Sequence, residues 1–465
     1  MKKFIYTFSP KKIVSFIIIL LSFSQVKAQY DFTLYNFRDV QQVAHTNPAF
    51  IPKHKINIGI PLLSSPYLFV GNSGFVYNDF IQKRNDDSLV LNMQNGIDKM
   101  NDLNFLTSNF QMELLSFGFG VGKNYFSVNV NERFNSTFSY PKGFFQLAWE
   151  GNGAYLGERI SMDGLGLDVN HYREFGVGWA REINNKLTVG VKAKYLMGIS
   201  NIWTKTSNLG ITTDATTFDL TLDGELDLRT SGINQFTDTT NNFEIGNYLF
   251  NTNNMGMGLD IGATYQINTR FGVNFSMLDF GFINWSHDNQ NYKQEKVSIT
   301  FDGLDANAFF NSYNPDSLSQ SAQSSFDQLA DSLENSVNFT DNNDSYRQFL
   351  TTRFIIGGNY TINENNFVGA MFQGFVYKNN FMPALSLSYH TGIGKVLSAT
   401  VNYSIFNRSY FNVGTGFALN LGGVQVYAMA DNILSPIIPQ GTRNLHARFG
   451  INLYLGNNSN EGSGE

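Results

Sequence analysis

Apolar and polar residues alternate with a period of two along much of this chain, most regularly near its C-terminal end. Between 443 and 455 the apolar side chains share one face of a strand and the polar ones the other: Leu445, Ala447, Phe449, Ile451, Leu453 and Leu455 against Asn444, His446, Arg448, Asn452 and Tyr454. A period of two over about ten residues or more predicts a strand with one face in lipid and one in a wet lumen.

The same pattern predicts about fourteen strands, with 12 to 16 as the range: 55–71, 106–121, 124–140, 165–183, 186–204, 254–268, 270–288, 350–362, 365–378, 380–392, 395–407, 409–421, 423–433 and 442–455. Most exceed the five or six residues usual in soluble sheets. A tilted membrane strand needs about nine to eleven residues. The fold predicted is all-β, a transmembrane antiparallel β-barrel spanning residues 55–455.

The connections support this topology. The six connections that must lie on the side of the C-terminus are all short, and four of the others are long: 72–105, 141–164, 205–253 and 289–349. With the C-terminus in the periplasm, every long connection falls on the extracellular side, as in bacterial outer-membrane barrels. Within these loops we expect a hairpin around 218–228, a strand at 296–301 and a helix from Asn314 to Leu333, serving as a lid, a partner-binding cap or a solvated decoration.

The N-terminal 28 residues have the pattern of a cleaved signal peptide. Lysines precede an apolar run at 13–23, and Val26-Lys27-Ala28 provides a small residue at the expected cut. The apolar run is shorter than the roughly 20 residues that span a bilayer as a helix. We therefore expect export, and with the barrel pattern an outer-membrane location.

Composition narrows the class of protein. Charged residues make up 15% of the chain and aromatic residues also 15%, with 42 glycines and no cysteine. Low charge with many aromatics suits lipid-facing strands; an exported soluble sandwich or propeller would have shorter strands. The absence of cysteine excludes disulfides and thiolate metal sites. A net charge of −6 argues against a nucleic-acid partner.

Residues 29–54 separate the signal peptide from the first strand, and we call them the hatch. A fourteen-stranded barrel has a lumen too wide for its wall side chains to fill, so a plug is expected. Within the hatch, Asn47-Pro48-Ala49 predicts a rigid bend. In the first strand, Pro61 and Pro66 remove ladder donors and predict a bulge or gap.

At Asn47-Pro48-Ala49 the sequence resembles the FadL-like outer-membrane barrels, where such an element belongs to an N-terminal hatch inside fourteen strands. Together with Tyr30-Asp31-Phe32 and residues 56–60, the run 43–50 looks like a family of unknown function from Bacteroidota, near the PorV and PorP/SprF barrels of type IX secretion. The resemblance implies that Asn47, Pro48 and Ala49 are hatch residues. The chain departs from many barrels in ending on a polar tail, 456–465, which we expect to be disordered.

No motif in the sequence predicts an enzyme or a cofactor. The stretch from Gly118 to Lys123 resembles a phosphate loop but lacks the following Ser or Thr and the helix. The six histidines have no metal-ligand spacing. Six basic residues lie opposite apolar positions and should face the lumen, because charge toward lipid costs about 2 to 4 kcal/mol at the midplane: Arg133, Lys192, Lys194, Arg353, His446 and Arg448.

These lumen candidates have two interpretations. They could contact the hatch or an anionic substrate, or they could form a structural network with Glu132, Glu174, Asp260 or Asp279.

For the whole protein, one hypothesis is a plugged FadL-like channel for small hydrophobic molecules. The alternative is an accessory barrel for type IX secretion or surface-protein attachment. The first predicts a small apolar ligand as partner beside the membrane lipid, and the second a secreted or surface protein.

Overall fold

The computed structural model describes residues 31–233, 245–249, 253–301, 340–378 and 380–457. The predicted signal peptide, the predicted helix from Asn314 to Leu333 and nearly all of the tail lie outside the described residues.

Strands make up most of the described chain. The first eleven are β1 (His54–Gly59), β2 (Tyr67–Asn72), β3 (Ile81–Lys83), β4 (Leu89–Leu91), β5 (Leu103–Val121), β6 (Asn124–Pro141), β7 (Arg159–Ser161), β8 (Gly166–Glu182), β9 (Leu187–Thr213), β10 (Leu220–Ser231) and β11 (Asn254–Gln266). The others are β12 (Phe271–Trp285), β13 (Asn289–Phe301), β14 (Thr340–Asn342), β15 (Tyr346–Phe349), β16 (Arg353–Asn363), β17 (Asn366–Tyr377), β18 (Asn380–Ile393), β19 (Leu397–Phe406), β20 (Ser409–Leu421), β21 (Val424–Ala430) and β22 (Asn444–Asn457).

These strands close into an antiparallel barrel with fourteen wall positions. In order around the wall they are β1 with β2, β5, β6, β8, β9, β11, β12, β15 with β16, β17, β18, β19, β20, β21 and β22. The barrel closes where β22 pairs with β1 and β2. The predicted all-β, fourteen-stranded architecture is confirmed.

The first wall position is broken at residues 60–66, where the prolines predicted a bulge or gap. Hydrogen bonds bridge the interruption: the Ile60 amide donates to Ile451 at 3.2 Å, and the Ile451 amide donates to Leu63 at 2.9 Å. On the other side, the Leu62 amide donates to the Glu113 carbonyl at 3.0 Å. The interruption is a bulge bonded to both neighbouring strands, so the alternative of a gap is wrong.

Apolar side chains point outward and polar ones inward along the wall, which is the reverse of the arrangement in soluble proteins. On β18, Leu385 and Leu387 are 56% and 63% exposed, whereas the alternating Ala384, Ser386 and Ser388 are buried. Apolar side chains therefore cover the outside of the wall and polar ones line the lumen, as expected for strands in lipid. The short turns mark the end that is periplasmic in bacterial barrels, and the long connections mark the extracellular end.

The wall rises highest beside β9, which runs for 27 residues. Its outer part pairs with β10, β10 pairs with β13, and β13 pairs with β14. The predicted hairpin and the strand at 296–301 are confirmed. The predicted loop start at 205 is wrong, because β9 continues to Thr213 with polar residues on both faces, and apolar alternation stops there.

Helices are few and short in the described residues. In the hatch they are Phe32–Tyr35 and the 3-10 helix Gln41–His45, and elsewhere Tyr77–Phe80, Met93–Asp98, Lys142–Glu150 and Ile245–Leu249, with 3-10 helices Asn152–Tyr155 and Pro439–Gly441. No helix in the described part of the chain is long and apolar enough to span a membrane.

Candidate functional site

The hatch lies inside the lumen, toward the short-turn end. The three residues singled out by the sequence, Asn47, Pro48 and Ala49, are all there. The Asn47 side chain accepts from the Ala49 amide at 2.9 Å and donates to the Phe275 carbonyl of β12 at 3.1 Å. Asn47 therefore stabilises the bend around Pro48 and also bonds this bend to the wall.

Glycines on the inner face of the wall make room for the hatch. They are Gly190 in β9, Gly262 in β11, Gly357 in β16, Gly369 in β17 and Gly416 in β20. A Cβ at Gly190 would overlap the Pro48 carbonyl, and one at Gly262 would overlap the Asn47 side chain. The wall is shaped to this segment, because glycine lets another backbone approach closely.

Two carboxylates anchor the beginning of the described hatch. Asp31 is buried and accepts from the Arg448 guanidinium at 2.7 Å. From the wall side, Asp431 accepts from the Thr33 amide at 2.7 Å and from the Phe32 amide at 3.3 Å. These amides open the helix Phe32–Tyr35, where backbone donors have no helical partner. Both contacts are buried, so water competes weakly for them.

The 3-10 helix of the hatch contacts the wall where β22 pairs with β1 and β2, which is where the barrel closes. The Gln42 amide group donates to the Ser64 carbonyl of the bulge at 3.1 Å and to Asn452 of β22 at 2.9 Å. Glu113 of β5 accepts from Gln42 at 3.3 Å and from the Ser64 hydroxyl at 2.6 Å. His45 lies 3.1 Å from the same carboxylate. One hatch turn therefore touches the strands on both sides of the bulge.

At the periplasmic end, Asp39 pairs with His390 of β18 at 2.9 Å and with Lys53 at 2.6 Å. Burial opposes ionisation of Asp39, but the hydrogen bond from His390 and the charge of Lys53 outweigh it and hold the pKa of this carboxyl below its usual range. A cavity of about 800 Å³ opens here beside Arg38, Asp39 and Lys53.

All six basic lumen candidates are buried inside the barrel. Asp279 gathers three of them: Lys194 at 2.6 Å, Arg353 at 3.0 Å and Arg133 at 3.7 Å. Asp279 has a φ of 58°, which L-residues rarely adopt and which commonly marks a constrained site. Asp260 and Glu174 complete the network, 2.8 Å from Lys194 and 3.1 Å from Arg133 respectively.

The remaining candidates adjoin this network or the hatch. Arg353 also lies 3.8 Å from Asp31, which links the wall network to the hatch. Lys192 faces Asp260 across the β9–β11 ladder. His446 accepts from the Asp431 amide at 2.9 Å. The structural interpretation therefore accounts for most of these charges, and Arg448 in addition contacts the hatch.

Glu132 is not a lumen partner, so that prediction is wrong. It alternates with the inward Asn131 and Arg133 and lies on the opposite face of β6. There it pairs with Arg173 at 2.7 Å and with His171 at 2.8 Å. The sequence places Glu132 one position from Arg133, and a period of two sends neighbours to opposite faces.

Apolar side chains of the described residues form three groups in the lumen beside and above the hatch. The first, which we call cluster A, joins hatch and wall: Phe32, Tyr35, Val43, Phe50, Tyr67, Phe69, Phe105, Leu278, Ile355, Met371, Phe375, Tyr377, Ala384 and Phe406. The second, cluster B, is built from the wall: Tyr172, Leu196, Trp203, Ile283, Trp285, Tyr346 and Leu350. The third group joins Leu34, Phe37 and Val40 of the hatch to Ala418, Tyr427 and Met429 of the wall. An otherwise polar lumen therefore contains three separate apolar clusters.

Sequence reasoning missed the inner-face glycines, the anchoring role of Asp31 and the three apolar clusters. The glycines carried a usable signal, since a glycine at an inward position of a strand marks a close backbone approach. No such signal distinguished Asp31, because its partner Arg448 is more than four hundred residues away. Among the described residues no group of three or more His, Asp or Glu could hold a metal ion.

Comparison with known proteins gives a likeness of architecture. TodX, a toluene transporter of Pseudomonas putida, is 8% identical over 92% of this chain and 98% of that one, with a TM-score of 0.40. TbuX, a toluene transporter of Ralstonia pickettii, is 10% identical over 90% and 94%, with a TM-score of 0.39. A FadL homologue of Pseudomonas aeruginosa is 8% identical over 88% and 91%, with a TM-score of 0.36.

None of these similarities assigns a substrate to this chain. No curated protein matches the sequence. Residues 48–431 match the family described as a family of unknown function, DUF5723, and the chain belongs to that family.

Proposed function

We propose that this protein is a non-enzymatic outer-membrane channel for small apolar molecules, held closed by its hatch. The proposal combines an apolar outer wall, a lumen blocked by a distinct segment, and an apolar core along that segment. Passage requires the hatch to move, because its side chains fill the lumen between wall glycines.

Cluster A carries the proposal. Four of its members, Phe32, Tyr35, Val43 and Phe50, belong to the hatch, and the others belong to the wall. When the hatch moves, the wall members lose their apolar partners and face the lumen. A surface of this kind favours an apolar solute, since burying apolar area is worth roughly 25 cal/mol per Å².

The contacts that hold the hatch are compatible with release as a unit. Most are hydrogen bonds or ion pairs to wall groups, and strand pairing in the described residues begins only at His54. The bulge at 60–66 does not offer a lateral route in this state, since both of its sides are bonded. We therefore place the moving part in the hatch.

Removal of residues 29–53 tests the proposal in its simplest form. The truncated barrel should admit apolar probes such as N-phenyl-naphthylamine faster than the full chain in reconstituted vesicles. Barrel integrity is checked by heat-modifiable migration on gels, so that a folding failure is separated from a transport result. Unchanged uptake by a folded truncated barrel would overturn the gating role of the hatch.

A disulfide offers a reversible test in the full-length chain, which has no cysteine of its own. A Cβ at Gly416 would lie 3.0 Å from Thr33 Cγ2. Thr33 Cβ lies one bond beyond Cγ2, and disulfides join Cβ atoms about 3.5–4.5 Å apart, so Thr33→Cys with Gly416→Cys should link hatch to wall. Oxidation should stop uptake and reduction should restore it, with Thr33→Cys alone as control. Equal uptake in both redox states would contradict the proposal.

The accessory-barrel alternative predicts a protein partner. No contact among the described residues favours it over the channel, and we do not propose it. Gentle purification followed by mass spectrometry separates the two, because a channel should retain apolar small molecules and an accessory barrel a protein in fixed ratio.

A further inference from the structure

A second cavity, of about 440 Å³, lies at the extracellular end of the lumen. This is within the usual size of small-molecule sites, about 300 to 1,000 Å³. Trp203 and Tyr377 line it together with Leu103, and we call it the outer cavity. It is separated along the barrel from the hatch contacts at Asn47 and Asp39.

The outer cavity lies between clusters A and B. Trp203 belongs to cluster B, and its ring lies 6.0 Å from that of Tyr346. Tyr377 belongs to cluster A, and its ring lies 5.1 Å from that of Phe105. An apolar group that extends inward from the outer cavity would therefore meet aromatic side chains on both sides.

The rest of the lining is polar. It includes carboxylate, hydroxyl and amide side chains: Asp102, Ser161, Asp163, Thr206, Ser207 and Asn208. A bare hydrocarbon would cover these groups without giving them hydrogen bonds, which is costly. A ligand that suits this lining must itself provide donors and acceptors.

Charge in the outer cavity disfavours an anionic ligand. Three carboxylates, Asp102, Asp163 and Asp168, line it against two ammonium groups. Both ammonium groups already have oxygen neighbours: Lys205 lies 3.4 Å from Asp227, and Lys378 donates to the Ser139 hydroxyl at 2.7 Å. The excess of acceptors calls for a ligand rich in hydroxyl groups.

One of these carboxylates also fixes an aromatic wall of the cavity. Asp168 is buried, accepts from the Tyr377 hydroxyl at 2.6 Å, and accepts from the Thr204 amide at 3.2 Å. This bond orients the Tyr377 ring between the outer cavity and cluster A. A rigid aromatic surface beside polar groups suits a ligand with both characters.

We propose that the outer cavity binds the uncharged, hydroxyl-rich head of an amphipathic molecule, such as a sugar head group, with its apolar part directed toward clusters A and B. This inference rests on the proposed channel function and narrows its substrate class. Bare hydrocarbons and carboxylates with the same chain should bind more weakly.

The test compares three probes on the full-length protein in phosphatidylcholine nanodiscs: octyl glucoside below its micelle concentration, octanoate and toluene. Trp203 fluorescence reports binding, with Trp203→Phe as the blank for bilayer effects. Octyl glucoside should bind at least about tenfold more tightly than octanoate, as one or two additional hydrogen bonds provide. Tighter binding of octanoate or toluene, or no Trp203 response to any probe, would overturn the proposal.

Variants assign the effect to the lining. Asp163→Ala and Asn208→Ala should each weaken octyl glucoside about tenfold. Asp86→Ala, in an exposed turn elsewhere, is the matched control and should change nothing. Lys378→Gln tests the opposite outcome. If octanoate binds more tightly than octyl glucoside to the unsubstituted protein, and this substitution abolishes octanoate binding alone, the outer cavity is an anion site instead.

The outcomes for the two proposals are separable. If octyl glucoside fails to bind while the Thr33→Cys, Gly416→Cys variant still controls uptake, only the head-group inference falls. If octyl glucoside binds but uptake ignores the disulfide, the channel proposal falls and the site remains as a binding site alone.

Discussion

The two ends of the lumen are closed in different ways. Toward the periplasm, the lumen is filled by the hatch, which is not part of the wall. Polar contacts such as Asp31 with Arg448 hold it there. Toward the outside, apolar side chains of the wall itself pack together in cluster B, and strands β9, β10 and β13 extend the wall on that side. The inner closure is a segment separate from the strands of the wall, whereas the outer closure is formed by the wall itself.

The largest expected effect comes from Asp31→Ala, which leaves Arg448 buried without its carboxylate. Removing one partner of a buried pair costs about 3 to 5 kcal/mol. The hatch should become sensitive to protease while the strand pairing of the wall stays intact, measured by limited digestion and by thermal unfolding. Asp86→Ala is the control, and a protected hatch in Asp31→Ala would show that the anchor lies elsewhere.

Adjacent glycines in β16 give a matched pair for the second test. A Cβ at Gly357 would overlap the Tyr35 hydroxyl in the hatch, whereas one at Gly358 meets nothing closer than 3.4 Å. Gly357→Ala should therefore lower the free energy of unfolding by about 1 to 3 kcal/mol and loosen the hatch. Gly358→Ala should do neither, and equal effects of the two substitutions would contradict a wall shaped to the hatch.

Tyr377→Phe tests whether the outer end is independent. It removes the hydroxyl that donates to the buried Asp168, at a cost of about 1 kcal/mol. We expect lower thermal stability with unchanged protease protection of the hatch. Exposure of the hatch in this variant would show that the two ends are coupled.

The smallest effect is a pH dependence of the inner end. Because the pKa of Asp39 is below its unfolded value, its stabilising contribution is complete above about pH 4 and is lost as the pH falls further. Hatch protection should weaken in acid and should weaken less in Asp39→Asn, followed by protease sensitivity against pH. An identical acid response in both proteins would exclude Asp39 as the group involved.

The wall was predictable because alternation records which face meets lipid. Predicted strands such as 124–140 and 409–421 match β6 (Asn124–Pro141) and β20 (Ser409–Leu421) closely. Beyond the membrane the alternation of apolar and polar residues no longer marks the strand, because both faces of β9 near Thr206 carry polar residues. The strand therefore extends beyond its predicted end at 204.

The candidate site was only partly predictable. Inward charges such as Lys194 and Arg448 could be found from their position opposite apolar residues. Three acidic partners, Glu174, Asp260 and Asp279, were among those expected. The link from Arg353 to Asp31 was not, because it depends on where the hatch lies in the lumen, and one sequence does not contain that information. The outer cavity likewise combines Leu103, Trp203 and Tyr377 from three distant strands or strand ends.

The bond between Gln42 and Ser64 bears on how the barrel is assembled. Gln42 reaches Asn452 in the last strand and Glu113 in β5, on either side of the first wall position. The hatch thus bonds, from inside the lumen, to the strands on both sides of the first wall position, where the first and last strands join; we call this junction the seam and the hatch contact the clasp. Docking of the hatch and closure of the seam should form one cooperative step, so a barrel inserted without the clasp would complete its final strand pairing more slowly.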